Sequence, residues 1–159
     1  MSVKVAIVDA SAGRKGHGVR WVAGKLREVL VMLGVLSCEW TITIVGDEEM
    51  ADLHQRTLGQ ASTTDVLTFD MRDEQGAARE GAAVERDTVL CAAEAGRRAG
   101  ELGHGVREEL LLYAVHSLLH VQGYDDVTPS KARRMHRRED ELLGALGVGA
   151  VYGRKRGQP

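Results

Sequence analysis

Residues 116–126 read HSLLHVQGYDD, and they place two histidines inside an apolar run. His116 and His120 are four residues apart, so on a helix both imidazoles lie on one face, one turn apart. Gly123 follows the apolar run, where a helix would end in a left-handed turn and let the chain fold back. The fold-back can bring Asp125 or Asp126 toward the two imidazoles. Two histidines and one carboxylate form a recognised ligand set for a metal ion, with a further position left for water.

A histidine pair at this spacing also occurs as surface decoration or as a hydrogen-bonded pair in a protein core. The neighbouring residues favour the metal, because the run from Leu110 to Val121 is apolar on nearly all sides and predicts a central helix. Two buried imidazoles need polar partners, and one metal ion supplies a partner for both. The pattern therefore predicts a metal centre on a buried helix.

The length of 159 residues suits one domain with a full core. We expect a single domain over residues 1–152, followed by a basic, disordered tail at 153–159. No apolar run approaches the roughly 18 residues that a membrane span needs, and no basic-then-apolar leader is visible. We therefore expect a cytoplasmic protein with no membrane partner. Cys38 and Cys91 are isolated, which predicts small buried apolar residues and no disulfide framework.

The net charge of −2 excludes nucleic-acid binding through a global positive field, so any such contact must come from a local patch. The predicted last helix carries a basic stripe of four residues, Arg133, Arg134, Arg137 and Arg138. The stripe is either a solvated face paired with the acidic residues 139–141 or a ridge that contacts phosphates. Aromatic residues make up only 4% of the chain, so base stacking cannot dominate RNA binding.

Hydrophobic periodicity predicts the element order β-α-β-α-β-β-α-α-α. The predicted strands lie at 1–10, 36–45, 65–69 and 87–91, and the predicted helices at 19–33, 47–58, 92–102, 106–121 and from Thr128 to about Gly144. Thr128 fits a helix N-cap and Pro129 the first helical position. Residues 70–86 lack apolar periodicity and are expected to form a mobile loop or an extended hairpin. The order predicts an α/β fold, with a small mixed sheet of about four strands packed against helices.

Three blocks of this sequence resemble the YbeY-type endoribonucleases, a bacterial family that acts in ribosomal RNA maturation. The family signature is HxxxHxxGYD followed by a third His, and this chain matches it from His116 through Asp125. Asp126 stands where the family has that His. The segment Thr64–Phe69, TDVLTF, is similar to the family block TDVLSF, and Arg86–Cys91 loosely resembles a block that begins Gly-Asp-Ile. The resemblance implies a zincin-like, metal-dependent hydrolase architecture of the α+β class, with the metal at the mouth of a cleft.

The resemblance also implies roles for individual residues. His116, His120 and Asp126 would bind one zinc ion, although the ligand set also suits another divalent transition metal. Asp65 would line the cleft beside the metal, or would only cap a turn. Arg56 lies in a segment where relatives carry a functional arginine, but counting without gaps puts that position on Leu58. The other histidines, His17, His54, His104 and His136, have no ligand spacing and are expected to be exposed.

We therefore expect a single-strand-specific, zinc-dependent endoribonuclease that matures ribosomal RNA at the 3′ end of 16S and takes part in ribosome quality control. Its expected partners are single-stranded and ribosomal RNA and the ribosome or ribosomal proteins. A zinc peptidase or amidohydrolase is the first alternative, but no Glu follows His116 as the motif HExxH requires. A non-catalytic ribosome-assembly factor with structural zinc is the second. Such a site needs four protein ligands, and only three or four can be named.

Overall fold

The computed structural model describes residues 2–11, 18–58, 66–70 and 79–149, without the side chains of residues 54, 57, 58 and 66–70. Strands and helices alternate through most of this part of the chain. The elements are β1 (Ser2–Asp9), α1 (Val19–Met32), β2 (Ser37–Val45), α2 (Asp47–Leu58), β3 (Val66–Asp70), β4 (Val84–Cys91), α3 (Ala92–Leu102), α4 (Val106–Val121) and α5 (Pro129–Ala145). The predicted mixed α/β class is confirmed.

The described strands form one sheet in the order β1-β2-β4-β3. β1, β2 and β4 are parallel, and β3 runs antiparallel to β4 at one edge. β2 is central, and its residues Trp40, Ile42 and Ile44 alternate into the core. β4 begins at Val84, earlier than predicted, because Val84 and Arg86 turn inward while Glu85 points outward, which is the alternation of a half-buried strand. Of the two alternatives expected for residues 70–86, the described ends agree with the extended hairpin, because β3 and β4 pair antiparallel with Asp70 opposite Arg86. Residues 71–78 lie outside the described part.

Helix α4 is the centre of the core, as the apolar run predicts. Its residues from Glu109 to Val115 are all buried, and so are those from Ser117 to Leu119. The helix contacts the sheet through β3 and β4 and is packed against α1, α3 and α5. A helix that is apolar nearly all round can only be stable when it is surrounded by other elements in this way. Because α4 is held on several sides, side chains near its end have a well-defined position.

The chain reverses direction directly after α4. Gly123 has φ +103°, a left-handed conformation that a side chain would strain, and the Tyr124 N–H donates to Leu119 O at 3.0 Å. Thr128 then caps α5, because its hydroxyl accepts a hydrogen bond from the Lys131 N–H at 3.1 Å. The predicted helix stop and the predicted helix start are both confirmed. The reversal packs α5 against α4 and puts residues 124–127 beside the end of α4.

Other predictions have mixed outcomes in the structure. Cys38 and Cys91 are both buried and free, as predicted. Among the helices that the structure describes, none is both long and apolar enough to cross a membrane. Residues 150–159 are outside the described ranges. The expected domain end at 152 and the expected disordered tail at 153–159 therefore stay predictions.

Candidate metal centre

The Nε2 atoms of His116 and His120 face the same space at the end of α4. Their Nε2 atoms are 3.2 Å apart, and the Asp126 carboxylate lies 3.7 Å from Nε2 of His116 and 3.8 Å from Nε2 of His120. Ligand atoms held about 2.0–2.1 Å from a tetrahedral ion are roughly 3.3 Å apart. The three groups are therefore close to the spacing that a single small ion requires. His116 is half-buried while His120 and Asp126 are exposed, so the centre opens to solvent.

The two neighbouring aspartates have different surroundings. One carboxylate oxygen of Asp125 accepts a hydrogen bond from the Val127 N–H at 3.2 Å, and the other lies 3.6 Å from Lys131 Nζ. Those contacts engage Asp125 with the chain that leads into α5. The structure thus brings Asp126, and not Asp125, to the two imidazoles.

The surroundings of His120 favour the form of its imidazole that binds a metal ion. Burial lowers the pKa of His120, and the charge of the neighbouring His116 lowers it further, against smaller opposing effects that include Asp126. His120 is therefore neutral near pH 7. A neutral imidazole offers a lone pair to a metal ion, whereas a protonated one cannot.

Glu139 on α5 holds the other side of His116. Its side chain is fully buried, with one carboxylate oxygen bonded to His116 Nδ1 and the other 3.0 Å from His136 Nδ1. Burial acts to raise the pKa of Glu139, but the hydrogen bonds and charges of the two histidines outweigh it, and the pKa lies below its ordinary value. An ionised carboxylate only accepts, so Nδ1 of His116 carries a proton, and in the neutral imidazole the lone pair is then on Nε2, where a metal ion would bind. Carboxylates behind ligating histidines orient metal sites in this way.

Sequence reasoning missed Glu139, which one of the two interpretations of the arginine stripe made a solvated partner of that stripe. That expectation is wrong, because Glu139 lies on the buried face of α5 with Met135, Leu142 and Leu143. The available signal was its position, four residues after Met135 and three before Leu142, on the only face of the predicted helix that carries apolar residues. An acid at a core position needs a polar partner.

Two histidines that were expected to be exposed are largely buried. The His136 side chain is only 14% exposed, and its ring stacks on that of His116 with centroids 5.9 Å apart. The His104 side chain is 4% exposed and lies 2.6 Å from the buried carboxylate of Glu109. Both expectations are wrong because spacing along the chain does not reveal a carboxylate on a neighbouring turn or loop. His17 and the side chain of His54 are not described by the structure.

Several other predicted residues are not brought to the centre. Arg56 is exposed on α2, and its guanidinium lies 3.6 Å from Asp52 one turn earlier. In the described part of the chain, no hydrogen bond or ion pair joins Arg56 to the two histidines. Asp65 and the side chain of Leu58 are outside the described residues, so their roles stay predictions.

The structure divides the predicted arginine stripe into two pairs. Arg138 donates two hydrogen bonds to the Glu80 carboxylate, at 3.0 and 3.1 Å, and a third to Glu141. The Arg134 guanidinium lies over the Tyr124 ring, 5.2 Å from its centroid. Arg133 and Arg137 are exposed, and they line an open groove together with His136, Asp140 and Glu141. Arg134 and Arg138 therefore contact other side chains of the protein, whereas Arg133 and Arg137 face the groove.

Comparison with known proteins identifies the family. A sequence profile for the family described as Endoribonuclease YbeY matches residues 17–147 of this chain. The chain belongs to the YbeY endoribonuclease family. The predicted family is thus confirmed.

Named members of the YbeY family match this chain at moderate identity. The endoribonuclease YbeY of Corynebacterium kroppenstedtii is 40% identical over 113 residues, which are 67% of this chain and 56% of that protein. The Thermobifida fusca protein of the same name is 38% identical over 66% of this chain and 70% of its own length. The Kineococcus radiotolerans protein is 33% identical over 96% of this chain and 90% of its own length. The chain thus spans little more than half of the Corynebacterium relative, but nearly all of the Kineococcus one.

A solved structure shares the fold. The solution structure of a Thermotoga maritima protein superposes with a TM-score of 0.60 at 22% sequence identity, covering 90% of this chain and 91% of that one. At this identity the likeness concerns the fold alone. It agrees with the mixed α/β arrangement of the described residues.

Proposed function

We propose that this chain is a metal-dependent endoribonuclease that binds one zinc ion through His116, His120 and Asp126. The observation that carries the proposal is the convergence of two Nε2 lone pairs and one carboxylate on an open space, with His116 fixed from behind by Glu139. Membership of the YbeY endoribonuclease family supports the nuclease activity. We also propose that residues 1–152 form a single zincin-like hydrolase domain. The two-histidine, one-carboxylate set would accept iron(II) or manganese as well.

His116, His120 and Asp126 would hold the divalent ion, which would supply Lewis-acid activation of water and neutralise charge on the scissile phosphate. The residues of the chain orient the ligands and keep them in the required protonation state. Glu139 holds the Nδ1 proton of His116, and His136 holds the second oxygen of Glu139. Asp126 adds a negative charge, so with a divalent ion the site carries about +1, compared with about +2 for three neutral histidines. Weaker activation of water should move the rising limb of the pH–rate profile to higher pH.

The geometry does not favour a zinc peptidase. In the HExxH motif the residue after the first His is the general base. Here that residue is Ser117, which is buried, and its hydroxyl lies 3.5 Å from that of Thr88 in the core. A buried serine hydroxyl is not a base at neutral pH.

The substrate we propose is single-stranded RNA, including the 3′ end of 16S ribosomal RNA, with the ribosome as a partner in the cytoplasm.

Arg133 and Arg137 are the arginines of α5 that we propose as phosphate contacts. In the described part of the chain neither makes a hydrogen bond or ion pair, and both line the groove beside His136. Arginine binds phosphate well because its planar guanidinium donates in pairs. Arg134 and Arg138 are engaged with Tyr124 and Glu80, so their role in RNA binding would be smaller. Arg56 and Asp65 stay proposed catalytic residues, without a described contact to the centre.

The test is metal quantitation combined with a cleavage assay. We expect the purified protein to carry about one zinc per chain and to cleave single-stranded RNA in preference to a duplex of the same sequence. Asp126→Ala should lose both the metal and the cleavage, and added zinc should restore neither at stoichiometric concentration. Metal-free protein that cleaves RNA as fast as the loaded protein would overturn the proposal. Loaded protein that leaves RNA intact would assign the centre another function.

A further inference from the structure

The residues Glu80, Gly81 and Ala82, here called the bridging segment, are separated from β4 by Ala83 alone. They are hydrogen-bonded both to the end of α4 and to the loop and helix that follow it. They are remote in sequence from the proposed ligands, and none of them is close to an imidazole in the described contacts. Their hydrogen-bond partners are nevertheless residues that lie within two positions of a proposed ligand or next to Glu139.

The first set of hydrogen bonds attaches the bridging segment to the end of α4. Gln122 is 2% exposed, and its Oε1 accepts from the Gly81 N–H at 2.6 Å while its Nε2 donates to Ala82 O at 2.9 Å. Gln122 follows His120 by two residues. Gly81 has φ +88°, a left-handed conformation that any residue with a side chain would strain. The segment is thereby held against the helix that carries both histidines.

The second set attaches Glu80 to the loop and to α5. Its carboxylate accepts a hydrogen bond from the Tyr124 hydroxyl and two from Arg138, through Nε at 3.0 Å and Nη2 at 3.1 Å. Tyr124 precedes Asp126 by two residues, and Arg138 is adjacent to Glu139. The Tyr124 ring also lies beneath the Arg134 guanidinium. One carboxylate thus joins the loop that carries Asp126 to the helix that orients His116.

We infer that Glu80 is a positioning residue for the metal centre, which acts by fixing Tyr124 and thereby the Asp126 carboxylate opposite the two imidazoles. The inference rests on the proposed function, because it assigns Asp126 as a ligand. Asp126 is exposed and lies 3.7–3.8 Å from the imidazole nitrogens, so it is the ligand whose position depends most on its loop. A loop held at Tyr124 loses fewer conformations when Asp126 binds an ion. Removing Glu80 should therefore weaken zinc binding although Glu80 is not a ligand.

The experiment compares the zinc affinities of Glu80→Ala and Glu141→Ala by competition with a chelator of known affinity. Glu141 is a matched control, because its carboxylate also accepts from Arg138, at 3.1 Å, but has no described contact with the loop. Replacing a group that supports a metal ligand typically weakens binding roughly 10- to 100-fold. We expect about a tenfold loss for Glu80→Ala and less than a twofold change for Glu141→Ala. Tyr124→Phe, which removes one hydroxyl, should also weaken binding and serves if Glu80→Ala does not fold.

Amide hydrogen exchange of the metal-free proteins distinguishes a local effect from a general loss of stability. In Glu80→Ala we expect faster exchange in peptides covering residues 123–127 and unchanged exchange in α1. Unchanged zinc affinity in both Glu80→Ala and Tyr124→Phe would overturn the inference, and so would faster exchange throughout the chain. A wild-type protein that binds no zinc would instead refute the proposed function, so the two failures are distinguishable.

Discussion

His116 donates a hydrogen bond from Nδ1 to the buried carboxylate of Glu139, and this contact determines which nitrogen of His116 faces the candidate metal centre. The two residues are 23 positions apart and lie on different helices. The other oxygen of Glu139 accepts a hydrogen bond from His136, so each carboxylate oxygen has a protein hydrogen-bond donor. The packing of α5 on α4 thus sets the chemistry of a side chain on α4.

Replacing Glu139 by Gln should weaken zinc binding without removing a ligand. Gln keeps the size of Glu but has only one acceptor oxygen, so one of the two histidines must change its tautomer or lose its partner. We expect a roughly 10- to 100-fold higher dissociation constant for zinc and a loss of about 1–3 kcal/mol in the free energy of unfolding. Chelator competition and urea unfolding measure the two effects, with the exposed Glu141→Gln as control. Wild-type affinity in Glu139→Gln would show that the hydrogen bond does not orient His116.

Substitutions at the two aspartates should have different effects on metal content. Asp126→Ala should lose zinc, whereas Asp125→Ala should keep most of it, because the Asp125 carboxylate is engaged with Val127 and Lys131. Asp126→His should bind zinc at least as well and should move the rising limb of the pH–rate profile to lower pH, since a neutral ligand leaves the ion more positive. Metal analysis and pH–rate profiles provide the measurements. Full zinc occupancy in Asp126→Ala would show that the third ligand is elsewhere.

The two arginine pairs of α5 should differ in how they affect RNA binding. Each phosphate contact that is lost lowers the log–log salt slope by roughly 0.7 for a single strand. We expect the double variant Arg133→Gln, Arg137→Gln to lower the slope by about 1.4 and the double variant Arg134→Gln, Arg138→Gln to lower it much less. Binding to single-stranded RNA at several salt concentrations, with a chelator present to prevent cleavage, measures both slopes. Equal slopes for the first variant and the wild type would show that Arg133 and Arg137 are solvated surface residues that make no phosphate contact.

The stability contributed by Glu80 should depend on pH in the acidic range. Burial acts to raise the pKa of Glu80, but hydrogen bonds from Tyr124 and Arg138 and the charges of Arg138 and Arg134 lower it below its ordinary value of 4.5. Since the folded-state pKa is the lower one, the contribution is complete above the unfolded pKa and is lost as the pH falls through the folded pKa. Glu80→Gln should therefore cost about 1 kcal/mol at pH 7, a value reduced by partial exposure, and progressively less below about pH 4.5. Urea unfolding of both proteins at pH 7, 5 and 3.5 tests this, and a difference independent of pH would contradict it.

The sequence by itself determined the elements whose signals are local. The helical spacing of His116 and His120, the stop at Gly123 and the cap at Thr128 each depend on residues within a turn or two of one another, and all three occur in the structure as predicted. The alternation of β2 is local in the same sense. Short-range periodicity and capping require no knowledge of what packs against an element.

Only the tertiary structure decided which polar groups meet. Helical spacing places Glu139 on the apolar face of α5, but only the packing of α5 on α4 shows that its partners are His116 and His136. Arg138 likewise belongs to an apparently uniform stripe, yet it binds Glu80, 58 residues away. Burial and hydrogen bonding between distant residues depend on how helices and strands pack, and a pattern along the chain contains no record of that packing.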